Sequence, residues 1–92
     1  MADQTAQLLG SAGNLALVQL PDRKYPALSI QGDSLKCLQE TVEELSRAIE
    51  SGDAEEVSYP MRELVEQVAL MVASYEEMSA RAERGLPYFK AT

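Results

Sequence analysis

The 92-residue sequence contains no histidine, no tryptophan and a single cysteine, Cys37. The absence of histidine excludes serine–histidine–aspartate triads, a histidine general base and every histidine metal site. A lone cysteine excludes a disulfide within the chain and a cysteine-cluster zinc site. Neighbouring Asp33 and Glu40 also disfavour a reactive thiolate at Cys37. We therefore predict a protein that is not an enzyme and has no catalytic residue, no cofactor and no metal site.

Long apolar runs are also missing. The longest uninterrupted apolar stretch covers residues 68–73, whereas a membrane-spanning helix needs about 20 such residues. The first nine residues lack the basic segment and the apolar core that are typical of a signal peptide. A lone cysteine fits a reducing compartment. We expect a cytoplasmic protein that does not bind a membrane.

Basic residues are scarce, since eight Lys and Arg face fifteen Asp and Glu and give a net charge of −7. This sign argues against a nucleic-acid partner, because phosphate binding requires positive surface. The charge is unevenly distributed: residues 40–56 contain seven acids and one base, Arg47, and so carry −6 of the −7.

The N-terminal third of the chain has the pattern of a β-meander, over residues 1–31. Aliphatic and β-branched residues at 5–9, 15–20 and 27–31 favour short strands. The Gly- and Ser-rich residues 10–14 indicate a turn, and Pro21 and Pro26 limit strands because proline cannot donate to a ladder. Such a sheet needs helices over one face.

Two helices are predicted to follow, over residues 33–51 and 54–84, with a tail at 85–92. Asp33 is the expected N-cap of the first helix and Gly52 its left-handed C-cap. Asp53 and Glu56 resemble a capping pair for the second helix, in which Pro60 lies in the first turn or at a kink. The predicted fold is α+β, a small two- or three-stranded antiparallel sheet followed by two helices packed on one face, in a single domain.

Both helices carry apolar stripes with the 3,4 spacing of an amphipathic helix. The first is expected to bury Leu38, Val42 and Leu45, with Leu35 and Ile49 on the same stripe. The second stripe fits a core-facing helix and equally a coiled-coil seam, which would make a homodimer. Its members are Val57, Met61, Leu64, Val68, Met71, Tyr75, Met78 and Ala82, widened by Val65 and Val72.

The acidic segment 40–56 has two interpretations, a solvated helix face or a recognition face for a basic partner. A divalent-metal site is disfavoured because a helix surface is convex and hard cations prefer convergent oxygens. The one basic cluster, Arg23 to Tyr25, is either a solvated loop or a second partner contact. The predicted partner-binding residues are Glu40, Glu43, Glu44, Glu50, Asp53, Glu55, Glu56, Arg23 and Tyr25.

Residues 18–26 and 30–35 read VQLPDRKYP and IQGDSL. They resemble the "VQLPxRxxPxxxIQGDSL" core of a small uncharacterised bacterial family, some of whose members resemble immunity proteins encoded beside secreted toxins. The corner at Gly32 and Asp33 also resembles that of HicB-type antitoxins, although the long second helix departs from them. The resemblance implies an immunity protein or antitoxin that neutralises a cognate toxin by direct binding. The alternative is a structural or regulatory homodimer built on the 57–82 stripe.

Overall fold

The computed structural model describes residues 5–90. Its elements are β1 (Gln7–Ala12), β2 (Leu15–Gln19), β3 (Ala27–Ile30), α1 (Gly32–Ser51) and α2 (Ala54–Arg81). The strands form one antiparallel sheet in the order β1-β2-β3. The predicted α+β class, with a three-stranded sheet followed by two helices, is confirmed. The chain divides into two compact units, a first unit up to residue 30 and from residue 72 onward, and a second unit over residues 31–71; the assignment of all 92 residues to one domain stays a prediction.

The β1–β2 hairpin differs from its prediction, because β1 continues to Ala12 through the expected turn cluster. Ala12 pairs with Leu15, so the turn has two residues, and Gly13 has φ +60°, as the first position of a type II′ turn requires. Gly10 and Ser11 have low strand propensity, but pairing with β2 overrides it. The ladder is interrupted by a β-bulge between Leu8 and Gly10.

The core of the first unit lies on one face of β2. Leu15 and Leu17 alternate along the strand and are both buried, as is Met78 of α2. A Cβ on Gly10 would lie 3.6 Å from the Met78 sulfur, so β1 meets this side chain at van der Waals distance. The Tyr75 hydroxyl donates a hydrogen bond of 2.6 Å to the Pro26 carbonyl. The C-terminal part of α2 therefore packs on the sheet.

Helix α1 begins at Gly32, one residue before the predicted start. Its N-cap is Gln31, which is extended and makes no side-chain capping bond, so the prediction of Asp33 as N-cap is wrong. Asp33 lies in the first turn, where its carboxylate accepts the Ser34 N–H at 2.8 Å and still interacts favourably with the positive end of the helix. The predicted C-cap is confirmed, since Gly52 has φ 78° and donates its N–H to the Ile49 carbonyl at 3.1 Å.

The second unit is a pair of helices joined by the two residues 52–53. Thr41, Leu45 and Ala48 form the buried face of α1. Thr41 donates its hydroxyl proton to the Cys37 carbonyl (3.1 Å) and accepts a hydrogen bond from the Gln67 amide (3.0 Å). A bond between the middles of two helices with so short a connection requires them to run antiparallel.

The termini of α2 depend on its flanking residues. Asp53 caps the start, because its carboxylate accepts the Glu55 N–H at 2.9 Å, and Pro60 is the seventh helical residue and fully buried. Sequence reasoning placed the end at Arg84, but the helix ends at Arg81. Glu83 adopts φ 58°, and Arg84 donates its N–H to the Ser79 carbonyl at 2.8 Å, so a Schellman motif closes the helix without glycine.

Candidate protein-binding surfaces

Six apolar side chains of the second unit are exposed to solvent by 43–59%. The prediction that α1 buries Leu38, Val42 and Leu45 is confirmed for Leu45, which is 8% exposed, and wrong for Val42, which is 45% exposed; Leu38 is half-buried, and Thr41 and Ala48 are buried instead. Small residues at these two positions allow the second helix to approach closely, so α1 turns them inward. We name this set the apolar face: Leu35, Val42 and Ile49 on α1, with Met61, Val65 and Val68 on α2.

The two stripes of the apolar face lie on the same side of the helix pair. At 3.6 residues per turn, both stripes are rotated in the same sense from the buried side of their own helix, by about 80–120° on α1 and by about 100–160° on α2. The buried side is marked by Thr41 on α1 and by Gln67 on α2, which are hydrogen-bonded. Rotations in the same sense on antiparallel helices point to one side, so the stripes lie on the same side of the helix pair.

The Thr41–Gln67 hydrogen bond also aligns the two stripes along the helices. Because α1 and α2 run in opposite directions, Val42 lies between Val65 and Val68 when positions are compared along the helix axes. Ile49 and Met61 both lie roughly 9–12 Å from the bond, toward the connection at 52–53. The apolar face is therefore continuous along the helix pair.

The seven acidic residues predicted to bind a partner are all exposed, and all lie in the second unit. Among residues 5–90, Glu43 alone of the seven forms an ion pair, with Arg47 at 4.0 Å. Lys36, four residues before Glu40 on the same helix, donates to the Gln39 side chain at 2.9 Å instead of pairing with that glutamate. Asp53 caps α2 and Glu56 accepts the Ser51 hydroxyl proton at 3.2 Å. Most of this negative charge therefore faces water without a compensating base.

The acidic residues fall on two sides of α1. Glu43 and Glu50 border the apolar face, next to Val42 and Ile49. Glu40 and Glu44 lie further round the helix, away from that face. We name Glu40 and Glu44, together with Glu55, which is exposed in the first turn of α2, the acidic surface. The described residues contain no group of three or more acidic, cysteine or histidine side chains placed to hold a metal ion.

Arg23 and Tyr25 lie in the first unit, whereas the seven acidic residues lie in the second. The Gln19 side chain donates to the carbonyls of Leu20 (3.2 Å) and Arg23 (2.6 Å) and holds this loop in its turn. Arg23 is exposed, whereas Tyr25 is half-buried and lies beside Gly85, where a Cβ would be 3.7 Å from the ring. Tyr25 thus packs within its own unit.

The C-terminal segment is attached to α2 through two tyrosines. The rings of Tyr75 and Tyr88 stack with centroids 6.5 Å apart, and the Tyr88 hydroxyl donates to Glu76 at 3.1 Å. Lys90 lies 3.9 Å from the same carboxylate. Burial raises the pKa of the Tyr75 hydroxyl above its ordinary value of 10.0. These contacts fix the segment but converge on no cleft.

A comparison with protein-family models matches residues 1–88 to a family of unknown function (DUF6959). The chain belongs to this family. No curated protein and no solved structure matches it. Membership agrees with the expected resemblance to a small uncharacterised family, and the comparisons show no relation to toxin-immunity proteins or HicB-type antitoxins. Among the described residues of this family member, no helix has both the length and the apolar character to cross a membrane.

Sequence reasoning found the acidic residues but missed the apolar face that the two helices share. It assigned the apolar stripe of α1 to the core, and for the stripe of α2 it left a core-facing helix and a coiled-coil seam as alternatives. One signal was present. Leu35, Val42 and Ile49 repeat every seven residues, and Thr41 and Ala48 show the same spacing on the neighbouring side of the helix. Two parallel rows of this kind indicate two contact surfaces on α1, one of which the chain itself covers.

Proposed function

We propose that this member of the family is a non-enzymatic protein-binding module that recognises a basic protein partner through the acidic surface. The observation that supports it most is the negative charge of residues 40–56, which is exposed and paired in the described residues only at Glu43. Repulsion between Glu40 and Glu44, four residues apart on one helix, costs a few tenths of a kcal/mol. It serves no purpose in the fold.

Charge of one sign acts mainly on the rate of association. It steers an oppositely charged partner toward the surface and raises the on-rate by roughly 10–10³-fold at low salt. The enhancement falls as the Debye length shrinks from about 10 Å at 0.1 M salt to about 3 Å at 1 M. The acidic surface would fit a partner that has a basic cleft, because it could occupy that cleft.

The finer part of the proposal is that the partner is a bacterial toxin, which the chain neutralises by covering its basic substrate-binding cleft. The resemblance of residues 18–26 and 30–35 to the core of immunity-like proteins supports this part. It is testable separately from binding. Co-expression of the chain with the captured partner should restore the growth of cells that the partner alone arrests. Failure to restore growth would refute the assignment of the partner as a toxin but not the proposed binding.

The test of binding uses a charge-reversed chain and a matched control. The variant carries Glu40→Lys, Glu44→Lys and Glu55→Lys; the control carries the same charge change on exposed acids outside residues 40–56, at Glu66, Glu77 and Glu83. The partner is first captured from a lysate of the source organism with the wild-type chain. Association rates are then measured at low and high salt.

We expect the variant to associate at least about tenfold more slowly than the control at low salt, and the difference to shrink at high salt. Dissociation rates should change much less. If variant and control associate equally slowly, only net charge matters and the acidic surface is not the recognition site. Equal rates for all three chains would show that the segment is merely a solvated helix face.

A further inference from the structure

We propose that the apolar face binds a second copy of this chain, with α1 of each copy packed against α2 of the other in a two-fold symmetric four-helix bundle. This surface is distinct from the acidic surface, and the inference does not depend on the proposed function. It also differs from a seam on α2 alone, because half of the exposed apolar side chains belong to α1.

The geometry of the face is self-complementary. A two-fold axis parallel to the helices and centred on the face keeps every residue at its own height and places α1 over α2 of the other copy. Val42 then meets Val65 and Val68 of the second copy, and Ile49 meets its Met61. Every helix has antiparallel neighbours, as in an up-and-down four-helix bundle.

The charges that border the face are complementary under the same operation. Glu43 and Glu50 lie along the outer edge of α1, and Arg62 lies along the outer edge of α2. Measured along the helix axes from the Thr41–Gln67 hydrogen bond, Arg62 of α2 lies level with residue 46 of α1, between the two glutamates. Among residues 5–90, Arg62 has no ion pair. The two-fold operation places Arg62 on the same outer side of the dimer as these two glutamates of the second copy.

The area fits a dimer of modest affinity. Six side chains exposed by 43–59% form a patch on the order of 500 Å², the size at which apolar surface marks an interaction site. With its charged borders the face approaches the roughly 800 Å² per partner of a standard interface. We expect a dissociation constant of about 1–100 μM, the range of small interfaces.

The experiment is sedimentation equilibrium of the full chain over a wide concentration range, with helix content followed by circular dichroism. We expect a monomer–dimer equilibrium for the wild type. Val65→Lys should weaken dimerisation at least about 30-fold, since it places a charge within the apolar interface. The matched control is Leu70→Asp, which alters an equally exposed apolar residue on the opposite side of α2 and should leave the equilibrium unchanged.

A charge swap tests the docking geometry itself. Arg62→Glu should weaken the dimer about three- to tenfold, and adding Glu43→Arg and Glu50→Arg to it should restore the affinity. Reversing the charges of the acidic surface should leave dimerisation intact, so either proposal can be refuted without refuting the other. A chain that is monomeric at every concentration, or one whose dimer survives Val65→Lys, overturns this inference. If the chain is monomeric and captures a different protein, and if Val65→Lys abolishes that capture, the apolar face binds that protein instead.

Discussion

Replacing Leu45 with alanine tests the helix orientation on which both surfaces depend. The Leu45 side chain is only 8% exposed, so the substitution removes almost its whole hydrophobic contribution and leaves a cavity between the helices. Buried leucine-to-alanine changes cost about 2–5 kcal/mol. Because a pair of helices can partly close around the gap, we expect the lower part of that range, about 2–3 kcal/mol.

The matched control makes the same chemical change at Leu35, which lies on the same helix and is 57% exposed. More than half of this side chain already faces water and no cavity forms, so the expected loss is below about 1 kcal/mol. For a domain of this size, 1 kcal/mol shifts the midpoint of thermal unfolding by about 4–8 °C. Leu45→Ala should therefore lower the midpoint by roughly 8–24 °C, and Leu35→Ala by a few degrees.

Thermal and urea unfolding, followed by the helical circular dichroism signal, measure both variants. Both variants and the wild type are compared at one low chain concentration and again at a tenfold higher one, so that any contribution of dimerisation to the apparent stability is recognised by its concentration dependence. Equal shifts in the two variants, or a larger shift for Leu35→Ala, would refute the orientation of α1. The apolar face would then be part of the core, as the periodicity alone suggested.

Three further predictions concern single residues and are read from urea unfolding. Gly52→Ala should cost about 1 kcal/mol, because its φ of 78° strains any L side chain, whereas Gly32→Ala, with open space around it, should be neutral or slightly stabilising; losses at both sites would contradict the left-handed cap. Glu83→Gly should stabilise the chain by up to about 1 kcal/mol, since φ is 58° there, and a loss would mean that the Glu83 side chain itself matters. Burial raises the pKa of Tyr75 above 10.0 in the folded chain, so the unfolded chain loses its phenol proton first. The contribution of protonated Tyr75 to the free energy of unfolding is present below about pH 10 and is lost as the pH rises beyond it. Tyr75→Phe should therefore lose less stability at alkaline pH than the wild type.

The fold was largely predictable because its local signals agree with its final structure. Two helices joined at Gly52, a short meander and an α2 capped by Asp53 all follow from spacing and capping preferences. The errors arose where tertiary contacts override a local preference. Gly10 reads as a turn residue, yet pairing with β2 and contact with Met78 keep it in a strand. Glu83 is an unfavourable residue for a left-handed position, and the helix still ends there.

The candidate surfaces were predictable only in part, for a reason that lies in helix packing. Periodicity identifies the apolar side of α1 but does not show which neighbour covers it. The intramolecular contact uses Thr41 and Ala48, which are small, and the Thr41 hydroxyl is satisfied by Gln67, a partner 26 residues away in sequence. A single sequence does not display that hydrogen bond, and without it Leu35 and Ile49 are assigned to the core.

The bulge in β1 has a consequence for how this chain avoids self-aggregation. β1 is an edge strand whose sequence, QLLGSA, contains neither charge nor proline, the usual protections against pairing with a foreign strand. The irregularity at Leu9 breaks the row of free backbone groups along that edge. Deleting Leu9 would restore an even ladder, with Leu8 still opposite Val18 and Gly10 opposite Leu17, and would offer a regular edge on which other chains could assemble into fibrils.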